Sequence, residues 1–385
     1  MDFAWDAGEE ALRADVRRFL EEHLTPELEE RSYVSGVLHD QAFSRALGAR
    51  NWIIPEWERE GFEALDPLAV LVLRNELTRV DAPTVLLATS GMVARVIRAV
   101  GGEELRTDIL PKVARGEVTI ALGMSESEAG SDVADVNTRA RPTEGGWIID
   151  GQKMFTTNGH LADYVFLLAR TDPDSVRHHG LTTFLVPLHS EGFEAQPVFT
   201  MSGERTNITF YNDLFLEDRW RISKVGAGWH SLMLALQDEH SAAFSPHLDR
   251  LLARTEAWAA EPDCDGPAPI AREDVRRRLA RAATDLEVSQ LLEVRSAWME
   301  ANGEVPVAEG PMGKLFSTEA VVRNAESLTA MVGPDALRSR LDATALEDGI
   351  IEHTLRYSLG MTIYGGTSEI QRNIVAQRRC GLPRP

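Results

Sequence analysis

The sequence predicts an α+β chain in three parts: an N-terminal α-helical domain over residues 1–117, a middle antiparallel β-domain over 118–225 and a C-terminal α-helical domain over 226–385. Three observations predict it. Before residue 118 apolar side chains fall at helical spacing, with Leu12, Val16, Phe19 and Leu20 on one stripe. Then Val, Ile, Thr and aromatic residues rise, in period-two patches at Tyr164–Ala169, Thr182–Pro187 and Asn207–Leu216 separated by turn dipeptides. From Gly226 onward helical periodicity returns.

In the first part, Asp66-Pro67 reads as an N-cap with proline at the first helical position, followed by the apolar run Leu68–Leu73. A helix is expected from Pro83 to Val100, stopping at Gly101-Gly102, and a short one over Glu103–Arg115. In the middle part a short strand, Ile120–Met124, enters a polar loop, and two strands follow, joined by a tight Asp150-Gly151 turn. In the last part helices are expected over Gly228–Phe244, Val275–Ala301 and Pro311–Met331, with a Pro/Gly/Asp-rich linker at 259–270. Ser368 and Gln371 read as a capping box opening a final helix through Gln377.

The totals narrow the function classes. A chain of 385 residues with 43% hydrophobic content builds a large core. A formal net charge of −20 argues against sequence-independent nucleic-acid binding, which needs a cationic face. The two cysteines, Cys264 and Cys380, form neither a disulfide framework nor a metal motif and read as free thiols in a reducing compartment. The N-terminus lacks the basic start and apolar core of a signal peptide, and no run approaches the roughly 20 apolar residues of a membrane span. The expectation is a soluble, cytoplasmic protein.

The most informative stretch runs from Ile120 to Asn158. It carries Ser125-Glu-Ser-Glu-Ala-Gly-Ser-Asp132, then Asp150-Gly-Gln-Lys153, then Phe155-Thr-Thr-Asn158. Small hydroxyls and free backbone N–H groups at the mouth of a sheet suit the edge of a flat polar heterocycle and a phosphate. On composition alone the stretch also reads as a surface hairpin with polar turns. A second signal lies on the 228–244 helix, where Glu239 shares one face with Leu232, Ala235, Leu236 and Ala243. A carboxylate on a buried stripe is paired, protonated or functional.

The three linked motifs of the 120–158 stretch resemble the flavin-binding β-domain of the acyl-CoA dehydrogenase family, whose pattern is T-E-P-x-A-G-S-D, N/D-G-x-K and W-I-T-N. The resemblance spans nearly the whole chain. It implies FAD as cofactor and α,β-dehydrogenation of an acyl-CoA thioester, with a carboxylate removing the α-proton and the flavin accepting the β-hydride. By position it assigns Ser125 and Thr157 to the reactive edge of the isoalloxazine, beside Met124. It lays Phe155 and Thr156 against the ring and turns Ser131 to a flavin phosphate or CoA. Thr367 and Glu369, at the start of the last helix, match positions that approach the cofactor. Each hydroxyl also reads as an ordinary turn or cap.

Two departures from the family pattern matter. Many members carry the base as Glu in Y-E-G-T, whereas this chain has Tyr364-Gly365-Gly366-Thr367. Gly365 and Gly366 are therefore expected to offer backbone N–H groups to the thioester oxygen, not a base. Other members, the isovaleryl type among them, place the base in an L-x-x-E-R run on the middle helix. Leu236-Gln-Asp-Glu239-His240 matches that position, which makes Glu239 the expected base, Asp238 its nearest rival and His240 a substrate contact in place of Arg. The family's R-x-x-F-G and Q-x-x-G-G runs, which reach FAD from a neighbouring subunit, are replaced by Leu251–Thr255 and Ala330–Asp335. The ending Gly-Gly-Thr-Ser-Glu-Ile-Gln-Arg resembles bacterial members that form heterotetramers of two unlike dehydrogenase chains and act on sterol side chains. The implied partners are an electron-transfer flavoprotein and either a homo-oligomer or a second dehydrogenase chain. Two alternatives stand beside this reading: a catalytically incomplete subunit of a hetero-oligomer, and a flavin oxidase or monooxygenase on the same scaffold.

Overall fold

The computed structural model describes residues 4–237, 243–262 and 266–383. The first helices are α1 (Ala7–His23), α2 (Pro26–Ser35), α3 (Gln41–Ala49), α4 (Pro67–Arg79), α5 (Val85–Val100), α6 (Glu103–Asp108) and α7 (Leu110–Ala114). The strands are β1 (Ile120–Gly123), β2 (Arg139–Thr143), β3 (Gly146–Lys153), β4 (Tyr164–Arg170), β5 (Leu181–Pro187), β6 (Phe193–Phe199) and β7 (Arg205–Glu217). Helices α8 (Gly228–Gln237), α9 (Ser245–Ala260), α10 (Glu273–Ala301), α11 (Glu309–Val332), α12 (Ile350–Met361) and α13 (Ser368–Arg378) complete the chain.

Two compact units result, one of residues 21–64 and 82–239 and the other of 1–20, 65–81 and 240–385. The first is built on the sheet, in the order β1-β4-β2-β3-β7-β6, with β5 on the other edge of β4. It is mainly antiparallel. The exception is β4, which runs parallel to β1 and, at Arg170, to β2. Strands β4 and β5 are buried on both faces, so they read as continuous apolar runs and not as alternation. Trp147, Leu167, Phe184 and Tyr211 fill one side; Leu168, Leu181 and Leu232 of α8 fill the other. In the second unit α9, α10, α11 and α12 close around Leu248, Leu279, Val321, Leu328 and Ile351. Helix α4 joins them, its N-terminus capped as expected by Asp66, which accepts from the N–H of Leu68 and Ala69.

Local chemistry moves four elements from where the sequence placed them. The Glu103–Arg115 helix splits into α6 and α7, because Pro111 has no N–H and its ring crowds the carbonyl four residues back. The turn joining β2 to β3 sits at Glu144-Gly145, not at Asp150-Gly151. The latter pair lies inside β3, where the register against β7 shifts. Gly151 there has φ 146°, and a Cβ on it would come within 2.7 Å of the Thr138 backbone, so the glycine serves a bulge and a close approach. Strand β6 was not expected: it holds Pro197, is largely exposed and, among the described residues, pairs only with β7, as suits an edge strand. The final helix is capped by Thr367 in place of Ser368, its hydroxyl accepting from the N–H of Ile370. Among the described residues no helix is long and apolar enough to cross a membrane, and Cys380 is an exposed free thiol, while Cys264 lies outside them.

Candidate active site

In the sheet unit the first two motifs are fastened to each other by a buried ion pair. Lys153, at the end of β3, is fully buried and donates from Nζ to Glu126 Oε1 at 2.8 Å and to the carbonyl of Met124 at 3.1 Å. Glu126 also accepts from the N–H of Asn137 at 2.7 Å and of Thr138 at 2.9 Å. Burial pulls the Lys153 ammonium down to about 8 against the pull of the carboxylate. Burial also raises Glu126, but Lys153 and the two N–H groups outweigh it and hold the carboxylate below its ordinary range. The loop carrying Met124, Ser125 and Ser131 is thereby fixed onto β3, and Met154 N–H donates to Ser125 O at 2.8 Å. Met124 and Ser125 are half-buried; Ser131 is exposed.

The third motif leaves β3 as a strained turn. Phe155 has φ 61° and Asn158 φ 54°, both in the left-handed region. For a bulky residue this is an outlier that surroundings must enforce. They do. Thr156 is fully buried, its N–H donates to Asn207 O at 2.9 Å, its carbonyl accepts from Asn207 Nδ2 at 3.0 Å and its hydroxyl pairs with Thr209 Oγ1 at 3.2 Å. Thr156 therefore holds the turn, with its polar groups engaged inside the protein. Thr157 stays half-buried, with Oγ1 3.3 Å from Thr206 Oγ1. Asn207 Nδ2 also donates to His160 Nδ1 at 3.2 Å, and burial with the nearby Arg205 charge lowers that imidazole to about 4, so it is neutral near pH 7.

The outcome is an aromatic ring, Phe155, 58% exposed beside half-buried hydroxyls, and a buried Asn158 Oδ1 with no protein partner among the described residues. An exposed apolar face, small hydroxyls and an orphaned acceptor fit a flat heterocycle with polar edges. The roles of Glu126, Lys153 and Asn207 were missed in the sequence. The first two stood inside the motifs, and the signal was an acid shortly after β1 and a lysine at the end of β3, two opposite charges at strand ends within linked motifs.

In the helical unit the structure describes the other candidate positions. Gly365 and Gly366 have φ 65° and 83°. Thr367 caps α13, and Glu369 is exposed in its first turn. Glu239 and His240 lie outside the described residues, as does Asp238. Leu232 and Ala235, which share the predicted face with Glu239, are fully buried on α8, and Leu236 is half-buried. After that segment the chain re-enters at α9, pinned by a residue the sequence reading did not single out. Buried Glu293 of α10 accepts from the N–H groups of Phe244 and Ser245, each at 2.9 Å, and from Ser245 Oγ at 2.6 Å. Burial raises its carboxyl to about 7, against those hydrogen bonds.

Comparison with known proteins places this architecture. The N-terminal, middle and C-terminal domain models of acyl-CoA dehydrogenase match residues 6–117, 121–218 and 226–379. Acyl-CoA dehydrogenase FadE26 of Mycobacterium tuberculosis is 31% identical over 400 aligned positions, covering 100% of this chain and 99% of that protein. Among solved structures, a chain of the ChsE4-ChsE5 complex from Mycobacterium tuberculosis superposes with a TM-score of 0.91 at 30% identity over 100% of both chains. A chain of the Tcur3481-Tcur3483 steroid ACAD does so with a TM-score of 0.92 at 29% identity, again over 100% of both. The chain belongs to the acyl-CoA dehydrogenase family and is an oxidoreductase of that kind.

Proposed function

We propose that this chain binds FAD and removes the α-proton and β-hydride of an acyl-CoA thioester, with Glu239 as the base. The observation that carries the flavin part is the Phe155–Asn158 turn, a strained and exposed aromatic edge held against its own backbone preference by Thr156 and Asn207. Strain of this kind persists where a site is preorganised. Ser125 and Thr157 offer hydroxyls to the polar edge of the heterocycle, and Met124 and Phe155 supply apolar contact. Ser131, exposed on its loop, serves a phosphate of FAD or CoA. Thr367 and Glu369 are the cofactor contacts at the start of α13. Bound FAD supplies the two-electron acceptor.

The chain's own groups do the rest. Glu239 takes the α-proton. By sequence spacing it is in helical register with Leu232, Ala235 and Leu236, and a carboxylate in apolar surroundings is a stronger base than a hydrated one. As the proton leaves, charge gathers on the thioester oxygen, and the Gly365-Gly366 turn offers backbone N–H donors to it. His240 contacts the CoA moiety. An electron-transfer flavoprotein is the partner that would accept the electrons.

A partner chain belongs to the proposal. The two runs that would reach the far end of FAD from a neighbouring subunit are absent, and two similar solved structures carry paired names, ChsE4-ChsE5 and Tcur3481-Tcur3483. The latter's description as a steroid ACAD favours a bulky, sterol-derived acyl group as substrate class. Purification alone and with a sibling dehydrogenase chain tests this. Flavin retained only on co-expression supports the shared site; a full complement of FAD on the lone chain refutes it. Acyl-CoA oxidation supported by oxygen alone would show an oxidase.

A further inference from the structure

The Tyr364-Gly365-Gly366-Thr367 turn carries no carboxylate, yet its backbone is held from behind by two buried side chains with no part in the chemistry described so far. Lys314 of α11 is 2% exposed and donates from Nζ to the carbonyl oxygen of Gly366 at 2.8 Å and of Met361 at 3.3 Å. Gln371, fully buried in the first turn of α13, donates from Nε2 to the carbonyl of Gly365 at 2.9 Å and of Gly366 at 3.4 Å. The rings of Phe244 and Tyr364 lie 5.6 and 6.0 Å from the ammonium. At these distances both faces are attractive to a cation.

A trans peptide points its carbonyl and the following N–H in opposite directions. With the Gly365 and Gly366 carbonyls drawn toward Gln371 and Lys314, the N–H groups of Gly366 and Thr367 are turned the other way. Among the described residues neither donates to a backbone carbonyl, nor does the N–H of Gly365. The fit behind the turn is tight: a Cβ on Gly366 would meet Gln371 Nε2 at 2.8 Å, and at φ 83° only glycine is relaxed.

We propose that Lys314 and Gln371 are a positioning pair that fixes this turn so that its N–H donors face the thioester oxygen. The Lys314 charge, on the carbonyl side of the Gly366–Thr367 peptide, polarises that peptide and strengthens its N–H toward an oxygen gaining negative charge. The pair does not touch substrate; it acts through the backbone. The inference rests on the reading of Gly365-Gly366 as the thioester side of the site.

The test uses the FAD-loaded protein, with its partner chain if one is needed, as wild type, Lys314→Met, Lys314→Arg and Gln371→Met. In protein labelled with 15N-threonine and 15N-glycine, the Thr367 amide resonance should shift in Lys314→Met and return toward the wild-type position in Lys314→Arg. In turnover, Lys314→Met should lower kcat by about ten- to a hundredfold with little change in KM, a partial loss of an oxyanion donor. The carbonyl stretch of a bound 13C-labelled enoyl-CoA should move back toward its free value. A thioether analogue with methylene in place of the carbonyl should bind wild type and variant equally. An unmoved Thr367 resonance in folded Lys314→Met, or equal losses of affinity for the thioether and the thioester, would overturn the proposal in favour of plain structural support. If Lys314→Met does not fold, Gln371→Met is judged by the same readouts, with the Gly366 amide in place of that of Thr367. If the wild type neither binds nor oxidises any acyl-CoA, the functional reading fails, while the Thr367 and Gly366 amide resonances still decide whether the pair sets the turn.

Discussion

Replacing Glu126 by glutamine keeps the side chain's shape and strips the charge that faces buried Lys153. The ammonium titrates at about 8 against its ordinary 10.5 even with its partner present. Burial therefore already costs about 3 kcal/mol, at 1.36 kcal/mol per unit. Removing one member of such a pair costs about 3–5 kcal/mol. In the sheet unit this corresponds to a fall in Tm of roughly 10 °C. The effect carries a pH signature. The folded pKa of Lys153 is depressed, so the unfolded chain binds more protons between about 8 and 10.5. Across that window this group makes stability rise with pH. Glu126→Gln widens the window downward, so the gap between variant and wild type should be larger at about pH 7 than at about pH 9.5. Urea unfolding at both pH values, with flavin content measured alongside, checks this. A gap that is equal at both pH values, or smaller than about 0.5 kcal/mol, would refute the claim that a buried ion pair fastens the loop to β3.

Glu293 should give the opposite slope. Its folded pKa is raised from 4.5 to about 7, so the folded chain keeps a proton that the unfolded chain has lost. Wild-type stability should therefore fall by about 3 kcal/mol as pH rises through that window, and Glu293→Gln should remove this component in a series of unfolding curves. Phe155→Gly should leave the apoprotein within about 1 kcal/mol of wild type by calorimetry, because relief of left-handed strain offsets the added freedom of the unfolded chain. The same variant should release FAD more readily, read as free flavin fluorescence. Thr367→Ala should cost about 1 kcal/mol through loss of the α13 cap, seen as a lower urea midpoint.

Much of this was legible in the sequence because local chemistry and global fold agree there. Asp66 and Pro67 cap α4 as read, and the stripe of Val16, Phe19 and Leu20 is buried. Where a partner elsewhere in the fold decides, a local signal misleads. Asp150-Gly151 carries turn chemistry, but β7 lies beside it and makes it a bulge, with Asp150 Oδ1 accepting from the N–H of Asp213 at 3.0 Å. Gln371 looked like half of a capping box, yet its amide reaches the carbonyls of Gly365 and Gly366. Motif spacing announced the candidate site but not its supports. Lys314 and Glu293 are charged residues on apolar helix faces, the same signal that Glu239 gives in the sequence, and their partners lie at least 47 and 48 residues away along the chain.

Anaerobic bleaching of the flavin by a panel of acyl-CoA thioesters, wild type beside Glu239→Gln, tests the central claim most directly. Loss of a general base lowers the rate by about a hundredfold to ten thousandfold. Wild type should therefore bleach with at least one thioester, and the variant should bind that thioester but stay yellow over the same interval. Equal bleaching by the variant would place the base elsewhere, and a wild type that binds FAD but bleaches with no acyl thioester would contradict the dehydrogenation chemistry itself.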